Sequence, residues 1–207
     1  MDNLETGDLL LFNSHHSGLF SFFTSLIKWG THSNYSHIGI VLKDPKFINP
    51  SLKGLYLWES SYNGEPDPQD GKIKLGVQIT PLYEIINYYK KNGGSIFVRK
   101  INSTSDIPIN EIFNDKILID IHNKVYDKPY DIVPTDWIEG FLKYDIEPQK
   151  TNRFWCSALV GYIYTRVGIL NKNTDWSILT PNDFSLSGEN LNYTNIAKLD
   201  KSENKIM

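Results

Sequence analysis

Arg153-Phe154-Trp155-Cys156-Ser157-Ala158-Leu159-Val160 leads into Gly161-Tyr162-Ile163-Tyr164-Thr165-Arg166-Val167-Gly168, and the fold turns on how this stretch is read. Apolar side chains at Leu159, Val160, Ile163, Tyr164 and Val167 recur at helical spacing. Gly168 supplies a stop signal. Cys156 is the only cysteine of the chain, and it falls in the first turn of that helix. A thiol there feels the positive end of the helix dipole, which favours the thiolate, the form that attacks carbonyl carbons. The ordinary alternative is a buried structural cysteine. A nucleophilic reading requires a base elsewhere in the chain.

Upstream, strands dominate. Leu9-Leu10-Leu11-Phe12 follows Gly7-Asp8 and reads as a buried first strand. Leu19, Phe20, Phe22, Phe23, Leu26 and Ile27 mark one face of a short helix. His37 to Leu42 reads as a strand, Gly54 to Ser60 as another and Ile73 to Ile79 as a third. Thr80-Pro81 resembles an N-cap followed by proline at the first helical position, opening a helix that runs to about Asn92 and stops at Gly93-Gly94. Ser95 to Ile101 is a strand. Ile109, Ile112, Phe113, Ile117, Ile121 and Val125 then mark one long amphipathic helix. The residues from Tyr126 to Trp155 read as irregular, and those from Ser185 onward as a polar segment with a frayed end. Strands that follow one another without crossover helices imply an antiparallel sheet with helices packed on one side, an α+β fold. The 207 residues fit one domain, 1–207, with an ordered core over about 7–184.

Five histidines are available as bases. His15, His16 and His32 lie in loop-like sequence, and His122 lies beside core position Ile121 within a helix. His37 differs because it opens a strand. Period-two alternation puts it on the face of Gly39 and Val41, with Ile38, Ile40 and Leu42 on the other. A satisfied structural histidine remains the alternative. Glu59 follows Leu55 and Leu57 on one face of the next strand, and an unpaired carboxylate there is costly to bury. If the two strands pair, Glu59 can accept from the imidazole and orient it as the third member of a triad. Otherwise it marks the strand leaving the core.

Taken in order, Gly7-Asp8-Leu9-Leu10-Leu11-Phe12, Tyr35-Ser36-His37-Ile38-Gly39-Ile40-Val41, Trp58-Glu59-Ser60 and Trp155-Cys156-Ser157-Ala158-Leu159-Val160 resemble the circularly permuted branch of the NlpC-like papain-fold cysteine hydrolases. That branch includes YiiX-like and poxvirus proteins and, more distantly, LRAT-like acyltransferases. In it the histidine strand precedes the cysteine helix. Tyr130-Asp131 and Thr180-Pro181-Asn182-Asp183-Phe184 also resemble segments that flank that helix, and the likeness runs from about Gly7 to about Phe184. The resemblance implies a permuted papain-like fold with Cys156 as nucleophile, His37 as general base and acid, and Glu59 as the group that orients His37. It implies acyl transfer from an amide or ester through a thioester, with no cofactor. LRAT-like relatives carry a histidine as third group, so Glu59 points to the YiiX-like or viral side.

The resemblance implies an acyl-amide, acyl-ester or peptide substrate. A lipid-like or acylated substrate is preferred to peptidoglycan, since no cell-wall-binding module is evident, and transient membrane or lipid contact goes with it. The Leu19–Ile27 helix with Trp29, Tyr35, Trp137, Phe141, Phe154 and Trp155 offers a lining for an acyl channel, but most of them suit a core, which is the better reading for at least the helix face. One rival is a catalytically silent binding protein on the same scaffold. A second is a zinc site using His32, His37, Glu59 and Cys156, which lacks any paired-ligand spacing. The formal net charge of -3 and the absence of a dense Lys/Arg cluster give no case for nucleic-acid binding. A single cysteine, no signal-peptide pattern and no apolar run near the ~20 residues of a membrane span lead to the expectation of a cytoplasmic protein.

Overall fold

A computed structural model describes residues 3–13, 34–131, 151–188 and 191–207. The Leu19–Ile27 segment, His15, His16, His32, Trp29, Trp137 and Phe141 lie outside these residues.

The apolar runs form an antiparallel six-stranded sheet in the order β4-β3-β2-β1-β5-β8. Its strands are β1 (Leu9–Asn13), β2 (His37–Lys43), β3 (Leu55–Ser61), β4 (Gly76–Pro81), β5 (Ser95–Arg99) and β8 (Asn204–Lys205). β1 is central because Leu9 to Phe12 is apolar at every position and therefore suits burial on both faces. It pairs with β2 through Leu10↔Gly39 and Phe12↔His37, and with β5 through Leu10↔Val98. β2 pairs with β3 through Ile40↔Trp58 and Val41↔Leu57. A separate two-stranded sheet joins β6 (Ile101–Ser103) to β7 (Ala197–Leu199).

Helices cover both faces of the large sheet, not one. α1 (Leu82–Asn92) lays Leu82, Ile85 and Ile86 against Leu10, Phe12, Val41 and Leu57. On the opposite face, Ile38, Ile40, Leu42 and Trp58 pack with α3 (Asp115–Val125) and α4 (Cys156–Arg166). α1 is short enough to return over the sheet between β4 and β5, and its i, i+3, i+4 apolar stripe needs a cover. The long helix expected over Ile109–Val125 is two: α2 (Ile109–Ile112) and α3. Asn114 separates them. Its side chain accepts from the Ile117 N–H at 3.2 Å and donates to the Glu111 carbonyl at 2.7 Å, so it ends one helix while capping the next. α4 ends as its sequence indicates. Gly168 takes φ 85°, and the Ile169 N–H reaches back to the Tyr164 carbonyl at 2.9 Å, a Schellman closure.

The described residues 191–207 of the C-terminal segment are not frayed. Ala197 and Leu199 are buried in β7. Arg99, 1% exposed, donates to the carbonyls of Asp200 and Phe184. Tyr35 donates to Glu203 at 2.5 Å, which ties the tail to the residues just before β2. These contacts join residues far apart in sequence, so local polarity gave no sign of them.

The Gly7-Asp8 pair is structural. Asp8 is 1% exposed; it accepts from the backbone N–H groups of Glu5 and Ile101 and pairs with Lys100. The Gly7 carbonyl accepts from the Tyr164 hydroxyl of α4 at 2.8 Å. Gly7 itself has φ 100° and lies flat against the Phe113 ring, where a Cβ would overlap. Gly7→Ala is therefore expected to destabilise the protein by about 2–4 kcal/mol, strain and overpacking together. Urea denaturation measures it, and a midpoint equal to wild type would contradict this packing.

Candidate active site

Three elements converge at the open end of β2. His37 begins that strand, with its ring 5.4 Å from that of its cross-strand partner Phe12. Continuing the β2–β3 register one step beyond Ile40↔Trp58 sets Gly39 opposite Glu59, with His37 on the diagonal. Gly39 is needed there, because a Cβ would come within 2.7 Å of the Leu57 side chain. Glu59 lies two residues inside the end of β3, not at its end. Its carboxylate is buried, with the residue 4% exposed, and Oε2 lies 2.6 Å from His37 Nε2. Its other oxygen, Oε1, accepts from the Thr80 hydroxyl at 2.7 Å. Both oxygens are thus satisfied, which offsets the cost of burying them.

Cys156 is the first residue of α4 and is 2% exposed. The approach to this helix is clamped from two sides. On the sheet side, the Phe154 carbonyl accepts from the Ser60 hydroxyl at 2.6 Å, one residue along β3 from Glu59. On the other side, the Leu179 carbonyl accepts from the Ser157 hydroxyl at 2.6 Å and the Trp155 indole at 3.2 Å. The turn beyond it, Pro181–Phe184, carries a capping box between Thr180 and Asp183. Gly161 allows the close approach of this layer, since a Cβ would meet Leu179 at 2.8 Å and Trp176 at 2.9 Å.

The three residues share their electrostatics. Burial alone disfavours a charged His37. Hydrogen bonds to Cys156 and Glu59, and the charges of both, outweigh it and push His37 up to about 10. With Nε2 committed to Glu59, Nδ1 is the ring nitrogen left for Cys156. Sequence reasoning assigned no part to two nearby tyrosines. Burial raises the Tyr89 phenol of α1, and the charges of Glu59 and Cys156 add to the effect. Burial likewise raises Tyr130, with Cys156 and Asp131 contributing. The Tyr130-Asp131 pair forms a strap beside the helix entry. The Asp131 N–H donates to the Phe154 carbonyl at 3.2 Å, and Arg153 Nε pairs with the Asp131 carboxylate at 3.0 Å.

Thr80 is the residue the sequence misassigned. It does not cap α1. Pro81 holds that position with no side-chain cap, β4 runs through Pro81, and the Thr80 hydroxyl is spent on Glu59. An inward-pointing hydroxyl two strands from a histidine has no local signature, so only the register exposes it. Of the aromatics considered for an acyl channel, Phe154 is fully buried against Trp176 and Tyr162, and Tyr35 is buried against the tail. Both are core. His122 is half-buried, with its Nε2 2.7 Å from Gln69 Oε1 and its ring against Trp58.

No family model and no curated protein matches the chain. Among solved structures it is similar to the metalloprotein YiiX of Escherichia coli O157:H7, at 19% identity and a TM-score of 0.49, over 99% of this chain and 97% of that one. That likeness assigns no role to any residue here. Among the described residues, no three or more His, Cys, Asp or Glu side chains are grouped to hold a metal ion, and no helix is long and apolar enough to cross a membrane. His32 of the zinc alternative lies outside the described residues.

Because His37 binds its proton more tightly in the fold than its ordinary 6.5, it stabilises the fold fully below that pH and loses the contribution as pH rises through about 10. The difference in urea midpoint between wild type and His37→Gln should therefore be largest below about pH 6.5 and shrink steadily toward pH 10. A difference that stays flat over this window would be incompatible with the His37 environment.

Proposed function

We propose that this protein is a cysteine-dependent hydrolase or acyltransferase on a circularly permuted papain-like fold. Cys156 is the nucleophile, His37 the general base and acid, and Glu59 the group that orients the imidazole. One observation carries this reading: the buried Glu59 carboxylate holds one nitrogen of His37 at 2.6 Å, while the other is left for the thiol that opens α4.

The chemistry follows from the arrangement. His37 already holds the thiol proton on Nδ1, and the thiolate attacks the carbonyl carbon of an amide or ester. The carbonyl π pair moves onto oxygen, and the Cys156 backbone N–H, unpaired within the helix at its first position, donates to that oxyanion. Collapse of the tetrahedral species expels the amine or alcohol, which takes the proton from His37. A thioester remains on Cys156. Water, deprotonated by His37, attacks it to release the acid and restore the thiol; another nucleophile in the place of water gives acyl transfer. Glu59 stays ionised throughout and keeps the imidazolium in register. The substrate belongs to the acyl-amide, acyl-ester or peptide class, with a lipid-like acyl group as the favoured member.

Two measurements test this. Iodoacetamide should label native Cys156 faster at neutral pH than a small free-thiol control, and His37→Ala should abolish the difference. A wild-type thiol no faster than the control and unaffected by His37→Ala removes the activated pair. Incubation with acyl-amides, acyl-esters and muropeptides should leave an acyl adduct on Cys156 by mass spectrometry. Turnover should fall at least about a thousandfold in Cys156→Ala and His37→Ala, and less in Glu59→Gln. Turnover of muropeptides alone would overturn the lipid-like preference.

A further inference from the structure

The connection between β3 and β4 contributes to the site through a hydrogen-bond chain that ends on the Glu59 carboxylate. Asn63 lies at its start, exposed at the surface. The Asn63 Oδ1 accepts from the Glu65 N–H at 2.9 Å, an Asx turn that fixes which way the amide points. The amide nitrogen is thereby turned inward, and it donates to Thr80 Oγ1 at 2.9 Å. A hydroxyl that accepts from an amide has its own proton free for another partner. For Thr80 that partner is Glu59 Oε1, at 2.7 Å. Glu59 then offers Oε2 to His37. Donation runs inward from Asn63 through Thr80 to Glu59, and the carboxylate accepts from His37 on its other oxygen.

The connection that carries Asn63 is itself braced. Lys74 is 7% exposed and pairs with Asp67 and Asp70, each at 2.8 Å. Gln69 meets His122 of α3 at 2.7 Å. Thr80 is 2% exposed, so its hydroxyl is shielded from bulk water.

We propose that Thr80, oriented by Asn63, is a positioning residue that keeps the Glu59 carboxylate aimed at the His37 ring. The proposal rests on the Cys156–His37–Glu59 reading above. Thr80 touches neither the thiol nor a substrate; it acts through Glu59. Without its hydroxyl, Oε1 is a buried acceptor with no donor, and the carboxylate has reason to rotate or to hold a proton of its own. Either change weakens its grip on the imidazolium.

The test is the titration of the His37 ring followed by NMR in the full chain, assigned by comparison with His37→Gln, alongside the pH profile of Cys156 alkylation. Thr80→Val keeps the shape and deletes the hydroxyl. It is expected to lower the His37 midpoint by about one pH unit, a change in the range of one charge-assisted hydrogen bond. Thr80→Ser should restore the wild-type midpoint, and Asn63→Ala should move it the same way by less. Urea unfolding of each variant controls for loss of the fold, and the serine variant keeps the test alive if valine is not tolerated. If Thr80→Val titrates as wild type while Glu59→Gln shifts His37, Thr80 is a packing residue and the proposal is wrong with the site reading intact. An ordinary wild-type thiol that ignores His37→Ala is a different result, and overturns both.

Discussion

A carboxylate taken out of water costs several kcal/mol unless its oxygens are answered, and the centre of this structure is arranged around answering those of Glu59. One oxygen meets the His37 ring and the other meets Thr80, so three neighbouring strands are bound together through side chains as well as through their ladder. The histidine end of β2 cannot move without exposing that charge. Removing any partner would leave a buried group unmatched, which is why the geometry holds as a unit.

The rest of the fold supplies the rigid walls. On one face, α1 closes over Val41 and Leu57 and seals the region behind His37 and Glu59. On the other, α4 is buried from Cys156 to Tyr164, with its entry fixed by Ser60, Leu179 and the Tyr130-Asp131 strap. The Gly7-Asp8 corner and the C-terminal tail lie at the far ends of these elements. Through Tyr164 and Arg99 they lock the helix and the sheet into one relative position. The proposed thiol–imidazole contact needs such fixed supports, because misplacement by about 1 Å costs rate.

Much of this was legible in the residues. The alternation His37, Gly39, Val41 against Ile38, Ile40, Leu42 predicts the two faces of β2, and the two cores divide along that line. The helix from Cys156 to its glycine stop follows from apolar spacing and one positive-φ residue. What misled was chemistry that serves either of two purposes. Thr80-Pro81 has the composition of a helix start, yet the hydroxyl is drawn to a carboxylate two residues along the neighbouring strand. Asn114 interrupts an apolar stripe that looked continuous. The tail after Ser185 looked too polar to hold, yet a buried arginine and two short strands fasten it.

The sequence by itself determined β1 to β5 in outline, the cysteine at a helix start, and the pairing candidates His37 and Glu59, because those depend on local periodicity and on the cost of an acidic residue facing inward. Only the tertiary structure decided that the carboxylate reaches the histidine, that Nε2 is the nitrogen it takes, and that Thr80 and Asn63 stand behind it. Those facts depend on strand register and on the direction of each hydrogen bond. Neither is a property of any short stretch of chain: register is settled when distant segments bury a common core, and bond direction when each buried donor finds the one acceptor left to it.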